Sequence, residues 1–394
     1  MSSAQLTLER PRTEGSDVVV GAVLRYAAGP SHRLWWRIPG QWQEALTPWA
    51  DPFVVGFLFP MMQGRTDVMV EGAVSPSLLA NLEQFMAIWQ AWRPDRYTPV
   101  EIHAREETEA PPPAERGQAI MPFSCGVDSS FTLYQHHSAA MGRRTQRITA
   151  GMVMHGFDIR LDQENSQGMY EGLFEGAQAM LASRGAACIP AVSNFHELAT
   201  TWGDSFGTHL ASGLSLLGGR FDTALIANDV PHTRLEVIWG SHPVTTPFLG
   251  SRHFQVVDDG GEVFRFRKIK TLAQWPEALG HLRVCYENPG SHKNCCRCEK
   301  CIRTILAFRA AGVARPPTFS RDVGNDQIRR VRFHHEFIGR HWMEILEGAK
   351  STGQEGTDWV RAIHTAIRRN RRRWWWRRVK RRILPWMAHG RVES

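Results

Sequence analysis

The 394-residue chain contains no apolar run of about 18 residues, so no membrane-spanning helix is expected. Its first residues, "MSSAQLTLERPRTEGSD", contain no apolar h-region, which argues against a secretory signal and for a cytoplasmic protein. Cysteine is nearly missing before residue 285, where only Cys125 and Cys188 occur. Five of the seven cysteines then crowd between 285 and 301, an odd-numbered set unlike a secreted disulfide framework and suited to a metal site in a reducing compartment. Acidic residues are nearly absent after 360. Residues 361–394 carry twelve Lys/Arg against Glu393 alone. The whole chain is +8 and that segment +11, which leaves −3 for residues 1–360. The basic character therefore belongs to a tail and says nothing about the body.

At 42% hydrophobic and 22% charged, the composition is that of a chain with a sizeable core. Residues 1–105 read as a small α+β domain. "DVVVGAVLRY" (17–26), "RLWWRI" (33–38), "TDVMVEG" (66–72) and "PVEIHAR" (99–105) are strand-like, and a helix spans 75–92 with Ser75 as N-cap and Pro76 at its first position. The six Trp of this region suit core packing better than a stacking face. "EETEAPPPAERG" (106–117) reads as an acidic, Pro-rich linker. From 118 to about 310, near-continuous apolar strands alternate with helices, the pattern of an α/β domain with a parallel sheet covered on both faces. Residues 311–394 read as a helical C-terminal region that ends in the basic tail.

"FSCGVDSSF" (123–131) follows the first strand of the α/β domain and opens a helix. It is small, so backbone amides can approach a ligand. It offers hydroxyls at Ser124, Ser129 and Ser130, and it lies where a helix N-terminus attracts anions. The Gly-Lys-Ser/Thr of a P-loop is missing. The stretch resembles the PP-loop, Ser-Gly-Gly-x-Asp-Ser, of the N-type ATP pyrophosphatases, with Ser124, Gly126, Val127, Asp128 and Ser129 in place and Cys125 at the first Gly. A Cβ there costs little if the local φ is negative, and of order 1 kcal/mol if it is positive.

The second motif runs Cys285-x9-Cys295-x2-Cys298-x2-Cys301. Four thiols with no open position suit a tetrahedral structural zinc. CxxCxxC also begins a ferredoxin run, but the continuation "IRTILAF" holds no Cys. Cys296 is the odd member. Together the two motifs resemble the 7-cyano-7-deazaguanine synthase family, which ends with Cys-Tyr, a short loop, Cys-Gly-x-Cys-x-x-Cys, an Arg and an Ala/Gly-Phe. This chain has Cys285-Tyr286, then Cys295 to Cys301 with Cys296 at the Gly, then Arg303 and Ala307-Phe308. The resemblance covers roughly 120–310 and departs at "WGSHPVTTPF" (239–248), the nearest match to the family's substrate segment.

The resemblance implies an ATP-dependent, AMP-forming ligase or amidotransferase-like enzyme acting on a small-molecule carboxylate, with ATP, Mg²⁺ and Zn²⁺. It implies a phosphate site at 124–130, Asp128 as the Mg²⁺ or loop-orienting residue and Lys270 as a charge-offsetting group. His155, Asp158 and Arg160 follow the second strand, at the ligand edge. Two rival readings are an RNA-modifying, tRNA thiolase-like enzyme and a degenerate nucleotide-binding module. In the tail, "RRNRRRWWWRRVKRR" (368–382) reads as a contact for an anionic membrane surface, as a contact for RNA or another acidic partner, or as a solvated face.

Overall fold

The computed structural model describes residues 4–198, 201–228, 230–285, 287, 290–334 and 338–389, with 376–389 as backbone alone. The chain folds as two compact units, residues 1–263 with 289–292, and residues 264–288 with 293–394.

The first unit is built on a mixed, mostly parallel sheet. Its strands are β1 (Ala4–Leu8), β2 (Arg12–Glu14), β3 (Asp17–Arg25), β4 (Ser31–Pro39), β5 (Val68–Val74), β6 (Ile102–Glu107), β7 (Ala119–Pro122), β8 (Ile148–His155), β9 (Ala187–Ser193), β10 (Thr223–Ala227) and β11 (Gln255–Asp259). The spatial order is β11-β10-β7-β8-β9-β4-β3-β1-β5-β6, with β2 on β3. From β11 to β9 every pairing is parallel. The β4–β9 and β3–β4 pairs are antiparallel.

Five helices cover this sheet: α1 (Asp51–Gly64), α2 (Pro76–Trp92), α3 (Val127–His137), α4 (Ser166–Ala182) and α5 (Trp202–Ser215). Twelve of the fourteen residues of α1 are buried, so its sequence is apolar on every side. Ser75 and Pro76 open α2 as expected from sequence. The Ser75 hydroxyl, however, donates to buried Asp51 at 2.6 Å and does not cap the helix.

One core runs through both sets of strands, from Ala4 to Val256. The Pro-rich segment 106–117 is therefore not a linker between separate sheets. It begins within β6 and is tied down along the unit, with Trp49 Nε1 donating to Thr108 O at 3.0 Å and Ser77 Oγ to Glu109 at 2.8 Å. The join between the two sets of strands is β4 against β9, where Trp36 pairs with Ser193. Asn194 prolongs that ladder by accepting from Trp35 N at 2.9 Å and donating to Arg33 O at 2.7 Å. The wholly buried Trp36 lies over α5 at Gly213, where a Cβ would come within 2.5 Å of the indole.

The second unit is helical: α6 (Arg265–Leu272), α7 (Pro276–His281), α8 (Glu299–Ala310), α9 (Asn325–Arg330), α10 (Ile338–Ser351) and α11 (Asp358–His389). Its cysteine-rich segment lies just before α8 and in that helix's first turn.

Candidate functional site

The parallel half of the sheet has a reversal in strand order. The chain moves outward from β7 to β8 and β9, then returns past β7 to β10 and β11. Ligands of open α/β sheets sit outside the carboxyl ends of the strands at such a reversal. Here that place lies between β7 and β10, and residues 123–126 leave β7 there to start α3.

The local geometry of that turn is unusual. Cys125 has φ +55°, in the left-handed region that favours glycine. The cost expected from sequence for a positive φ therefore applies, of order 1 kcal/mol. The Cys125 thiol is turned inward, 1% exposed and 3.9 Å from Leu173 O. Gly126 is the N-cap of α3 and has no side chain with which to cap it. Its amide points at Ser124 Oγ, 3.3 Å away, and Ser124 Oγ lies 3.3 Å from Ser129 Oγ. Ser124 is exposed, Gly126 and Asp128 are half-buried, and Val127 and Ser129 are buried. Ser130 is wholly buried, and its hydroxyl has no hydrogen-bond partner among the described residues.

The helix behind the loop is anchored from the far side. Asp259, at the end of β11, accepts from Thr132 Oγ1 at 2.6 Å, Gln135 Nε2 at 2.8 Å and His136 Nε2 at 3.1 Å. Burial alone would raise this carboxyl, but those hydrogen bonds hold it below the usual carboxylate range. Nothing in the residue pattern singled out this network.

The other candidates near the ligand edge have separate fates. His155 is buried, stacks on Tyr170 at 4.5 Å and lies 2.7 Å from Ser166 Oγ, and desolvation holds it below the usual imidazole range. Asp158 is exposed, and Arg160 pairs with Asp162 at 2.6 Å. In "WGSHPVTTPF", Ser241, His242, Thr245 and Thr246 are buried. His242 Nε2 lies 3.0 Å from Leu235 O, and the His242 amide donates to Thr246 at 3.0 Å. In that segment the amide and ring nitrogens of His242 are bonded, while the buried Thr245 hydroxyl has no hydrogen-bond partner among the described residues.

In the second unit, the Sγ atoms of Cys285, Cys295, Cys298 and Cys301 all lie within 4.8 Å of one another. Cys285 and Cys298 are 3.8 Å apart, and Cys295 and Cys301 3.9 Å. A tetrahedral ion with metal–sulfur bonds of about 2.3 Å needs an S···S edge of about 3.8 Å. The geometry fits one mononuclear ion. A cluster would interpose several irons and sulfides between the thiolates.

Backbone amides of Arg297 and Cys298 point at Cys295 Sγ at 3.4 and 3.2 Å, and Cys301 N points at Cys298 Sγ at 3.4 Å. Hydrogen bonds donated to Cys285 hold the Cys298 thiol up at about 12 and raise that of Cys301, while Cys285, the acceptor, is lowered. A bound divalent cation removes the conflict by letting all four ionise.

Asn294 braces the segment. Its Oδ1 accepts from Val284 N at 2.9 Å and Cys285 N at 3.2 Å, and its Nδ2 donates to Leu282 O at 2.8 Å. Cys296 has φ +57° and is 2% exposed, and its thiol faces Asn294 O at 3.5 Å, apart from the four. Tyr286 lies outside the described residues. Arg303 pairs with buried Glu299 at 2.8 Å, and Phe308 is wholly buried. On α6, Lys270 is exposed, whereas Lys268 is 2% exposed. The sequence reading singled out Lys270, and the structure leaves that lysine exposed.

These features define an α/β protein with a large, mostly parallel mixed sheet and a closed four-cysteine group able to bind a metal such as zinc. Among the described residues, no helix is long and apolar enough to cross a membrane. Compared with family models, curated proteins and solved structures, the chain matches none.

Proposed function

We propose that the chain is an ATP-dependent, AMP-forming ligase of the PP-loop pyrophosphatase type, related to 7-cyano-7-deazaguanine synthase, which activates a carboxylate for C–N bond formation. One observation carries the reading. Both positions where the family motifs have glycine and this chain has cysteine, 125 and 296, keep a glycine-like backbone, with φ +55° and +57°. The Cys125 thiol is turned inward and so does not project from the loop toward a ligand.

In this reading the acceptor carboxylate attacks the α-phosphorus of ATP, and the bond to the diphosphate breaks. Ammonia then displaces AMP from the acyl carbon. The uncapped amides of the first turn of α3 and the hydroxyls of Ser124 and Ser129 bind the departing diphosphate. Such a pre-positioned donor is worth about 3 kcal/mol. Asp128 is the carboxylate assigned to Mg²⁺, which would supply charge neutralisation on the phosphates when bound. The four-cysteine group is structural and takes no part in the chemistry.

The test is ATP–pyrophosphate exchange against a panel of carboxylates that includes 7-carboxy-7-deazaguanine. Exchange with at least one acid, lost in Asp128→Ala, supports the reading. ATP binding without exchange across the panel would overturn it in favour of a nucleotide-binding module.

A further inference from the structure

We infer that the acceptor is an aryl carboxylic acid with an apolar ring, held along a wall of aromatic side chains between the ends of β8 and β10. The inference rests on the ligase reading for the reaction, and on other residues for the ligand. Among the described residues of the first unit, the exposed large apolar side chains are Leu161, Leu235, Trp239 and Val244. All four lie in two segments, 156–165 after β8 and 228–245 after β10. β8 and β10 are the strands on either side of β7, about 10 Å apart at two strand spacings. The exposed apolar side chains of the unit are thus gathered around the place where the 123–126 turn leaves β7. Single apolar residues scattered over a surface are ordinary, whereas a group of them at the ligand-binding edge of an α/β sheet marks a binding surface.

A run of rings joins the two segments. Buried Phe157, after β8, meets Trp202 edge-on at 5.9 Å, and its carbonyl lies 2.8 Å from His196 Nε2. The His196 ring stacks on Trp202 at 4.5 Å with the planes 8° apart, and Trp202 stacks on Phe206 at 6.1 Å and 29°. Phe206 meets Trp239, after β10, at 5.5 Å. Trp239 sits tightly on α5, where a Cβ on Gly203 would come within 2.8 Å of the indole. His196, Trp202 and Phe206 are half-buried and Trp239 is 37% exposed, so the run keeps ring surface open. Desolvation holds His196 below the usual imidazole range, which leaves it a neutral ring. The arginines of the two segments are matched within their own loops, Arg160 by Asp162 at 2.6 Å and Arg234 by Glu236. A polar heterocycle would leave donors and acceptors unmatched against neutral rings, whereas an apolar aryl ring would not. Flat stacked faces also favour a planar ring over an alkyl chain. The ligand's one polar end, its carboxylate, would then extend toward the β7 turn.

The experiment uses the full chain and three acids: 2-naphthoate, decanoate and 7-carboxy-7-deazaguanine. Binding is read by titration calorimetry without ATP, and the reaction by ATP–pyrophosphate exchange. 2-Naphthoate should bind tightest of the three and support exchange. Trp239→Ala should weaken its binding about tenfold, and Trp239→Phe should restore most of it, which separates the ring contact from folding. Binding of 2-naphthoate that depends on Trp239, with no exchange for any of the acids, supports the aromatic wall and overturns the ligase reading. Exchange with 7-carboxy-7-deazaguanine and none with 2-naphthoate supports the ligase reading and overturns the aryl-acid inference. Tighter binding of decanoate than of 2-naphthoate also overturns it, as does unchanged 2-naphthoate binding in Trp239→Ala.

Discussion

The loop at 123–130 and the cysteine segment at 285–301 share a device and differ in what it serves. Each sets a cysteine in left-handed backbone, Cys125 at φ +55° and Cys296 at φ +57°, with its thiol buried. In the cysteine segment the turn brings four other side chains together, and their chemistry is visible in the residue types. In the loop the turn presents main-chain amides at the start of α3, and amides carry no residue label. A ligand set made of side chains is defined by composition and distance. One made of backbone is defined only by the fold around it.

The largest expected effect separates the two regions outright. Cys298→Ser should abolish bound metal, read by native mass spectrometry. Structural zinc contributes about 10–16 kcal/mol of apparent binding energy to the fold it closes. Hydrogen exchange should rise across residues 293–310 and stay slow in β7 and β8. Zinc retained at full stoichiometry would break the contrast.

A smaller effect tests the shared device. Cys125→Val and Cys296→Val place a β-branched residue at positive φ, and each should cost about 2 kcal/mol in urea unfolding. The matching Gly variants should lie within about 1 kcal/mol of the parent, since relief of strain offsets lost thiol packing. A Val variant as stable as its Gly counterpart would mean that the left-handed turn is not adopted in solution.

The smallest effect concerns what holds α3 behind the loop. The Asp259 carboxyl is depressed in the folded state, so its contribution is present above the unfolded value of about 3.9 and is lost as pH falls through the folded value. Asp259→Asn should therefore lower stability by about 1 kcal/mol at neutral pH and flatten its fall on the acid side. An unchanged acid limb would remove Asp259 from the account.

Much of this was legible in the sequence. Strand–helix alternation from 118 onward is realised in β7 to β10 and α3 to α5, because period and turn chemistry are local. The four cysteines able to hold a metal were legible from their spacing, and the structure brings their sulfurs together. Other features were not. β1, "AQLTL", is too short and mixed to announce itself, and α1 is buried on nearly every side, so no periodicity marks it. The β4–β9 pairing brings together Trp36 and Ser193, far apart in the chain, and no local pattern encodes such a register. The segment at 239–248 was marked by its likeness to the family's substrate segment, and the structure buries Ser241, His242, Thr245 and Thr246, with the His242 ring 4.7 Å from that of Trp92.

By itself, the sequence determined residue chemistry and short-range geometry: where helices and strands start, where four thiols meet, and where charge of one sign accumulates. Tertiary structure alone decided that one sheet joins strands on both sides of the Pro-rich segment. It also decided that the 123–126 turn falls at the reversal of strand order, and that Lys268 is buried while Lys270 is exposed. The reason is physical. Local preferences act over a few residues, whereas sheet order and burial follow from packing apolar surface across the whole unit, which no short stretch of chain can specify.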